Sequence, residues 1–224
     1  MLSISEIFES VQGEGPSRGK NVVFLRTAGC NLRCTWCDTP YALELKQGTR
    51  METEQVVDKI KKCEPKHIVL TGGEPMIQQK LLRPVFEKLS DYYIEVETNG
   101  GFSSELDEFI DQYNCSPKLE GSGNKKYELK LLPNEKTWYK FVIDNEEDLN
   151  ETLEYISQYK LPSKRIQLMP QGKTKKEQEE KMEWVEQVSR EHDFHFTPRL
   201  HILNDFRGRR HSFFFPEAKT RQRV

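Results

Sequence analysis

The sequence predicts an α/β chain built on a parallel sheet, and three observations carry that expectation. Short β-branched or aromatic runs recur along the chain, amphipathic helical patterns lie between them, and polar or glycine-rich segments follow the strands rather than precede them. Alternation of this kind, repeated about six times, implies parallel strands joined by right-handed crossovers. The sheet is then either open and doubly wound or a full or partial (β/α) barrel, and in both cases chemistry belongs at the carboxyl ends of the strands.

Taken in order, the strand expectations are 21–26, 67–71, 93–97, 139–143 and 165–169, each stopped by Gly, Pro, Asn or Asp. Helices are expected over 52–63, with Val56, Val57 and Ile60 on one face, and over 79–89, with Leu82, Val85, Phe86 and Leu89. A third covers 104–113 through Leu106, Phe109 and Ile110. Asp144 or Asn145 caps a helix running to Tyr159, and Thr174 caps a long one through Trp184, Val185 and Val188. Residues 119–136, rich in Lys, Gly and Asn, read as a surface excursion.

At 224 residues with no repeat or long linker, one domain is expected, large enough to bury its own core. With 35% hydrophobic and 10% aromatic residues the chain is not disordered, and no apolar run approaches the ~20 residues of a membrane span. The first ten residues lack the basic and apolar regions of a secretory signal, so a reducing, cytoplasmic setting with free thiols is expected. The net charge of −2 argues against a nucleic-acid partner, although it is unevenly spread. Residues 207–224 hold six Arg or Lys and one Glu, so this basic tail is about +5 and the body, 1–206, about −7.

Three of the five cysteines, Cys30, Cys34 and Cys37, fall within eight residues directly after the first expected strand. A structural zinc site needs four protein ligands, and a fourth neighbour is missing. An iron–sulfur cube held by three thiolates instead keeps one iron open to another ligand. Cys63 and Cys115 are distant and read as small buried hydrophobes. Thr71-Gly72-Gly73-Glu74-Pro75 follows the second strand and Thr98-Asn99-Gly100-Gly101 the third, which puts three polar segments on one rim.

Cys30-x-x-x-Cys34-x-x-Cys37, with Trp36 before the last Cys, resembles the cluster motif of the radical S-adenosylmethionine (radical SAM) superfamily, and Gly72-Gly73-Glu74-Pro75 is similar to its cofactor-binding turn. Gln12-Gly13-Glu14-Gly15, Cys37-Asp38-Thr39, Glu97-Thr98-Asn99-Gly100 and Ser116-Pro117-Lys118 together resemble the 7-carboxy-7-deazaguanine synthase family, a group of carbon–nitrogen lyases in queuosine and 7-deazapurine biosynthesis. The resemblance implies a partial (β/α)6 barrel of the radical SAM type. It also implies conversion of 6-carboxy-5,6,7,8-tetrahydropterin to 7-carboxy-7-deazaguanine with loss of ammonia, the hard chemistry being carried by the cofactor rather than by a catalytic side chain.

The same resemblance assigns Cys30, Cys34 and Cys37 to a [4Fe–4S] cluster and Thr39 to Mg²⁺. It gives Gln12, Gly13, Glu14, Arg26 and Thr71 to the substrate, and Gly73, Glu74, Ser116, Pro117 and Lys118 to S-adenosylmethionine. Arg26 suits a carboxylate through bidentate geometry, its plainer reading being a strand-end ion pair. Thr39 could instead cap the turn before Pro40. The segment 168–172 is similar to a late cofactor-contacting stretch, and His201 to a late family histidine. A flavodoxin or ferredoxin as reductant and a homodimer are implied as well. Two other functions are weighed: a radical SAM activase that installs a glycyl radical on a protein partner, and a zinc-bound nucleic-acid interaction domain using the basic tail.

Overall fold

The computed structural model describes residues 1–131 and 133–204 and a short strand at 211–212. The strands are β1 (Leu2–Val11), β2 (Asn21–Thr27), β3 (Thr49–Met51), β4 (His67–Gly72), β5 (Tyr93–Thr98), β6 (Gln112–Cys115), β7 (Thr137–Ile143), β8 (Ile166–Pro170), β9 (His195–Phe196) and β10 (His211–Ser212). The helices are α1 (Thr53–Lys61), α2 (Gln79–Phe86), α3 (Glu146–Tyr159), α4 (Lys175–Glu191) and α5 (Leu200–Leu203). Among the described residues no helix is long and apolar enough to cross a membrane.

All ten strands join one sheet in the order β10-β1-β2-β4-β5-β6-β7-β8-β9, with β3 beside β1. From β2 to β9 every neighbouring pair is parallel, while β1 runs antiparallel to β2. A flat sheet would hold β1 and β9 roughly 34 Å apart, seven steps of ~4.8 Å. Yet the backbone N–H of Gly15, just past β1, donates to Thr197 Oγ1, just past β9, at 3.0 Å, and Leu200 N donates to Gly13 O at 3.0 Å. The sheet therefore curls into a partial barrel whose two ends meet at the carboxyl rim.

The two faces of this sheet differ in kind. Outward-facing Val23, Leu25, Ile68, Leu70, Ile94, Val96, Tyr113, Phe141 and Leu168 are buried with Val57 and Ile60 of α1, Val85 and Phe86 of α2, Tyr155 of α3 and Val185 of α4. Each such side chain contributes about 1.5–3 kcal/mol by leaving water. The alternate positions, facing inward, carry Arg26, Thr71, Glu95, Glu97, Gln112, Asn114, Lys140 and Gln167, with Val69, Val142 and Met169 as their apolar neighbours. Parallel strands are ordinarily apolar on both faces, so a polar inner face marks the concavity as a site.

All five expected strands form, and two of the caps form as read. Asn145 accepts from Asp148 N at α3, and Thr174 with Glu177 closes a capping box on α4. Three elements differ. β1 has no clean period in the sequence and is a strand because β2 pairs along its length and Phe8 stacks on Phe24 at 5.0 Å. The helix expected over 104–113 is a set of turns leading into β6, because Gln112–Cys115 pairs with β5 on one side and β7 on the other, and those ladders outweigh the helical spacing of Leu106 and Ile110.

The stretch 119–136 is not a surface excursion: Leu119, Leu129 and Leu131 are buried, and the N–H groups of Lys130 and Leu131 both donate to Gly100 O. Its few apolar anchors carry no period, which hid them among Lys and Gly.

Candidate active site at the carboxyl rim

The cysteine loop leaves β2 and is held mainly by main-chain hydrogen bonds. Gly29 N donates to Ala42 O at 2.8 Å, Cys30 N to Leu43 O at 2.9 Å and Cys37 N to Cys34 O at 3.2 Å. The turn after β4 locks onto it, with Glu74 N donating to Gly29 O at 2.8 Å and Gly73 N to Thr27 O at 3.3 Å. A Cβ on Gly73 would lie 2.4 Å from Gly29 O, 2.7 Å from Cys30 Cβ and 2.8 Å from Ala42 O, so the two segments meet with no room for a side chain.

Cys30, Cys34 and Cys37 are all free thiols at partial exposure, whereas Cys63 and Cys115 are buried. Burial of the last two pushes their thiols well up, Cys63 to about 12, as expected of packing groups. Cys30 is also pushed up, first by desolvation and then by Glu74 and its neighbours Cys34 and Cys37, against a hydrogen bond from Leu32 N that pulls it down. Three partly exposed cysteines on one short loop, with the other two cysteines buried elsewhere, suit a soft iron–sulfur cluster that takes all three as thiolates. The residues present therefore fit a three-cysteine cluster.

Glu74 is fully buried and accepts from Met76 N at 3.0 Å, Thr98 Oγ1 at 2.9 Å and Asn99 N at 2.7 Å. Both oxygens are thus engaged by the protein. Glu74 couples the turn after β4 to the end of β5, and Asn99 Nδ2 carries that link to Asn31 of the cysteine loop at 2.8 Å. Lys118 lies behind, its ammonium donating to Ser116 O at 2.7 Å and Ser116 Oγ at 2.8 Å, 5.9 Å from the Trp36 ring centre. Burial lowers its pKa, with Cys34 drawing it back up. Pro117 fixes the bend between the two.

Arg26 and Thr71 are register partners on adjacent strands and share the inner face. The Arg26 Nε is 2.7 Å from Glu6 Oε1, so the ion pair forms at one edge of the guanidinium. Thr39 precedes a short helical turn at Pro40, but its hydroxyl makes no capping bond and lies 3.8 Å from Cys37 Sγ.

Below the rim is a buried charge cluster. Lys140 Nζ sits between Glu14 Oε2 at 2.6 Å and Glu97 Oε2 at 2.8 Å. Gln12 Nε2 and Asn114 Nδ2 each donate to Glu95 Oε1, both at 2.6 Å, and to Glu97 Oε1 at 3.3 and 2.9 Å. His67 Nε2 lies 2.9 Å from the other Glu95 oxygen. Arg199 joins floor to rim, with Nε 3.3 Å from Glu14 Oε1 and Nη1 3.5 Å from Asp38 Oδ2.

Burial alone would raise Glu14, but Lys140, Arg199 and His201 pull it well below the carboxylate range. Glu97, dominated by desolvation, is raised. Lys140 is raised because the two carboxylates outweigh its burial. His201 is pushed down by burial and drawn up by Glu14; its ring closes on Gly13, where a Cβ would lie 2.3 Å from Nδ1.

Most sequence-expected residues thus converge on one concavity. Pro170, Gln171 and Gly172 lie at its edge, where Gln171 Oε1 accepts from Lys181 and Gly172 O from Arg199. Sequence reasoning missed Lys140, Asn114, Glu95 and Arg199. A signal existed for the first: a lysine inside Trp-Tyr-Lys-Phe-Val is a charge in a buried parallel strand. The expected basic tail, 207–224, lies outside the described residues apart from the strand at 211–212.

Residues 24–118 match the radical SAM superfamily. A 7-carboxy-7-deazaguanine synthase of Pyrobaculum aerophilum is 36% identical over 210 residues, covering 90% of this chain and 94% of that one. The one from Hyperthermus butylicus is 34% identical over 217 residues, covering 91% and 92%. Among solved structures, QueE from Escherichia coli superposes with a TM-score of 0.70 over 89% of this chain and 94% of that one; at 22% identity it supports the fold alone.

Proposed function

We propose a function from one premise: the chain belongs to the 7-carboxy-7-deazaguanine synthase family within the radical SAM superfamily. It is an enzyme whose cofactors are a [4Fe–4S] cluster and S-adenosylmethionine, and it converts 6-carboxy-5,6,7,8-tetrahydropterin to 7-carboxy-7-deazaguanine with loss of ammonia. The observation that carries this reading is the buried floor of Glu14, Lys140, Glu97 and Arg199 lying under a rim of three free thiols. When bound, the cluster and S-adenosylmethionine supply a hydrogen-abstracting radical after one-electron reduction.

The chain's own groups bind, orient and shield. Cys30, Cys34 and Cys37 hold the cluster. Gly73 offers backbone at a contact too tight for any side chain, and Ser116, Pro117 and Lys118 present a half-buried cation suited to the cofactor's carboxylate. Glu74 serves the cofactor by holding Thr98 and Asn99 in place.

Gln12, Gly13 and Glu14 take the donor-rich edge of the pterin. Glu14 stays ionised because Lys140 and Arg199 face it, so it accepts two N–H bonds without a proton of its own. Arg26 and Thr71, side by side on the inner face, take the substrate carboxylate. Gln12, Asn114 and Lys140 satisfy the floor carboxylates, while the buried Arg199 Nε and Gln167 Oε1 have no hydrogen-bond partner among the described residues and are available to a bound polar group.

Thr39 would hold a magnesium ion, whose charge would help to bind the substrate carboxylate. A hydroxyl with no capping bond supports that role, and Mg²⁺ needs few protein oxygens. A flavodoxin or ferredoxin supplies the electron, the working unit is a homodimer, and residues 1–206 form the radical SAM domain with 207–224 as a basic tail. The activase and zinc-domain readings have no observation in their favour.

The test is anaerobic incubation of the iron-loaded full chain with reductant, S-adenosylmethionine, magnesium and 6-carboxytetrahydropterin. We expect 5′-deoxyadenosine together with the deazaguanine acid by mass spectrometry. Formation of 5′-deoxyadenosine alone would move the substrate assignment elsewhere.

A further inference from the structure

The loop between β6 and β7 returns to the cysteine loop and touches it at three points. Thr35 N donates to Ser122 O at 3.0 Å, Arg33 N to Asn124 Oδ1 at 2.9 Å, and Asn124 Nδ2 lies 3.2 Å from Cys34 Sγ. Gly123, at φ +78°, makes the approach; a Cβ there would strike the Thr35 methyl at 2.7 Å.

The orientation of the Asn124 amide is fixed by these partners. Its oxygen accepts from a backbone N–H, so its nitrogen must face Cys34, and the second N–H goes to Ser122 Oγ at 3.0 Å. Among the described residues the other two thiols have local donors: Leu32 N lies 3.4 Å from Cys30 Sγ and Thr39 Oγ1 3.8 Å from Cys37 Sγ. Among the described residues, Asn124 supplies the side-chain donor that reaches a cluster thiol from a distant segment of sequence, 90 positions away.

We propose that Asn124 is a positioning residue that acts on the [4Fe–4S] cluster through Cys34, its amide donating to the thiolate and making one-electron reduction easier. The inference rests on the cluster binding at Cys30, Cys34 and Cys37. Reduction adds a negative charge that is shared with the thiolate sulfurs, and a hydrogen bond to sulfur stabilises the more negative state. Removing the donor lowers the midpoint potential.

The experiment compares wild type, Asn124→Ala and Asn124→Asp as iron-reconstituted full chains in a redox titration followed by electron paramagnetic resonance. Asn124→Asp keeps the acceptor for Arg33 N and loses the donor to sulfur. The shift in the uncharged Asn124→Ala reads the loss of the donor, and cluster loading in Asn124→Asp shows that the loop holds without it.

We expect both midpoints to move negative, with the reduced-to-oxidised ratio at fixed poise falling roughly three- to tenfold, where tenfold is 59 mV for one electron. The Asp variant should move further because it brings a negative charge. Unchanged midpoints in cluster-loaded variants overturn the proposal. If Asn124→Ala does not take up iron, the uncharged, similarly sized Asn124→Leu takes its place. Failure of both to load also overturns it, assigning Asn124 to assembly rather than potential. Wild type that binds no cluster would instead sink the family reading beneath it, a separate outcome.

Discussion

At the rim, Cys30, Cys34 and Cys37 ride on a loop held by main-chain hydrogen bonds, and their side chains are left partly exposed. At the floor, Glu14, Glu97, Lys140 and Arg199 are held by one another's charges, and their side chains are buried or nearly so. The rim has room for a large metal group because its donors are free while its backbone is fixed. The floor must be in place before substrate arrives, since a buried charge without a partner costs several kcal/mol. One end is organised by turns and close backbone contact, the other by electrostatics across strands.

Lys140→Met tests that contrast most severely. It leaves Glu14 and Glu97 buried without their shared cation, and should lower stability by about 3–5 kcal/mol in urea titration at neutral pH. The pH dependence follows from the same charges. Glu14, held below its ordinary 4.5, contributes stability that is full above 4.5 and lost as pH falls through its lower folded value. Lys140, raised above 10.5, contributes stability that is full below 10.5 and lost as pH rises through its folded value. The Glu14 contribution should therefore be lost on acidification below about 4.5, against an opposite contribution from the raised Glu97, and Lys140→Met should lose the Glu14 part of the acid slope. A small effect at neutral pH would mean that the floor is not organised by charge.

Gly73→Ala probes the rim and should act through sterics alone. Its methyl meets Gly29 O, Cys30 Cβ and Ala42 O well inside contact distance, so the cysteine loop must move. We expect a loss of about 1–3 kcal/mol and reduced iron retention on gel filtration. Wild-type iron content would show that the contact between the two turns is looser than described. Thr39→Ala should have the smallest effect, weakening the magnesium dependence of turnover while iron content and stability stay unchanged. An unaltered magnesium response would leave the ion to other ligands.

Much of the rim was legible from sequence because each of its pieces is contiguous. The cysteine spacing, the double glycine at 72–73 and the Ser116-Pro117-Lys118 bend are local patterns fixed by local geometry. Arg199 and Lys140 were not legible as site residues, since their partner Glu14 lies 126 positions from Lys140 and comes close only when the sheet curls. The loop over 119–136 was misread for the same reason: its lysines and glycines describe an exposed segment, while Leu119, Leu129, Leu131 and Asn124 matter only once a neighbour is present.

By itself, the sequence determined the alternation of strands and helices, the rim on which the polar segments lie and the close spacing of three cysteines. Periodicity and short motifs are properties of neighbours along the chain, and hydrophobic burial acts on them directly. Tertiary structure alone decided that β1 is a strand, that 104–115 ends in β6 rather than a helix, and that a lysine, two glutamates and an arginine share one buried space. Those outcomes depend on which strands pair and on how far the sheet bends. Pairing energies and charge compensation arise between segments that only folding brings together.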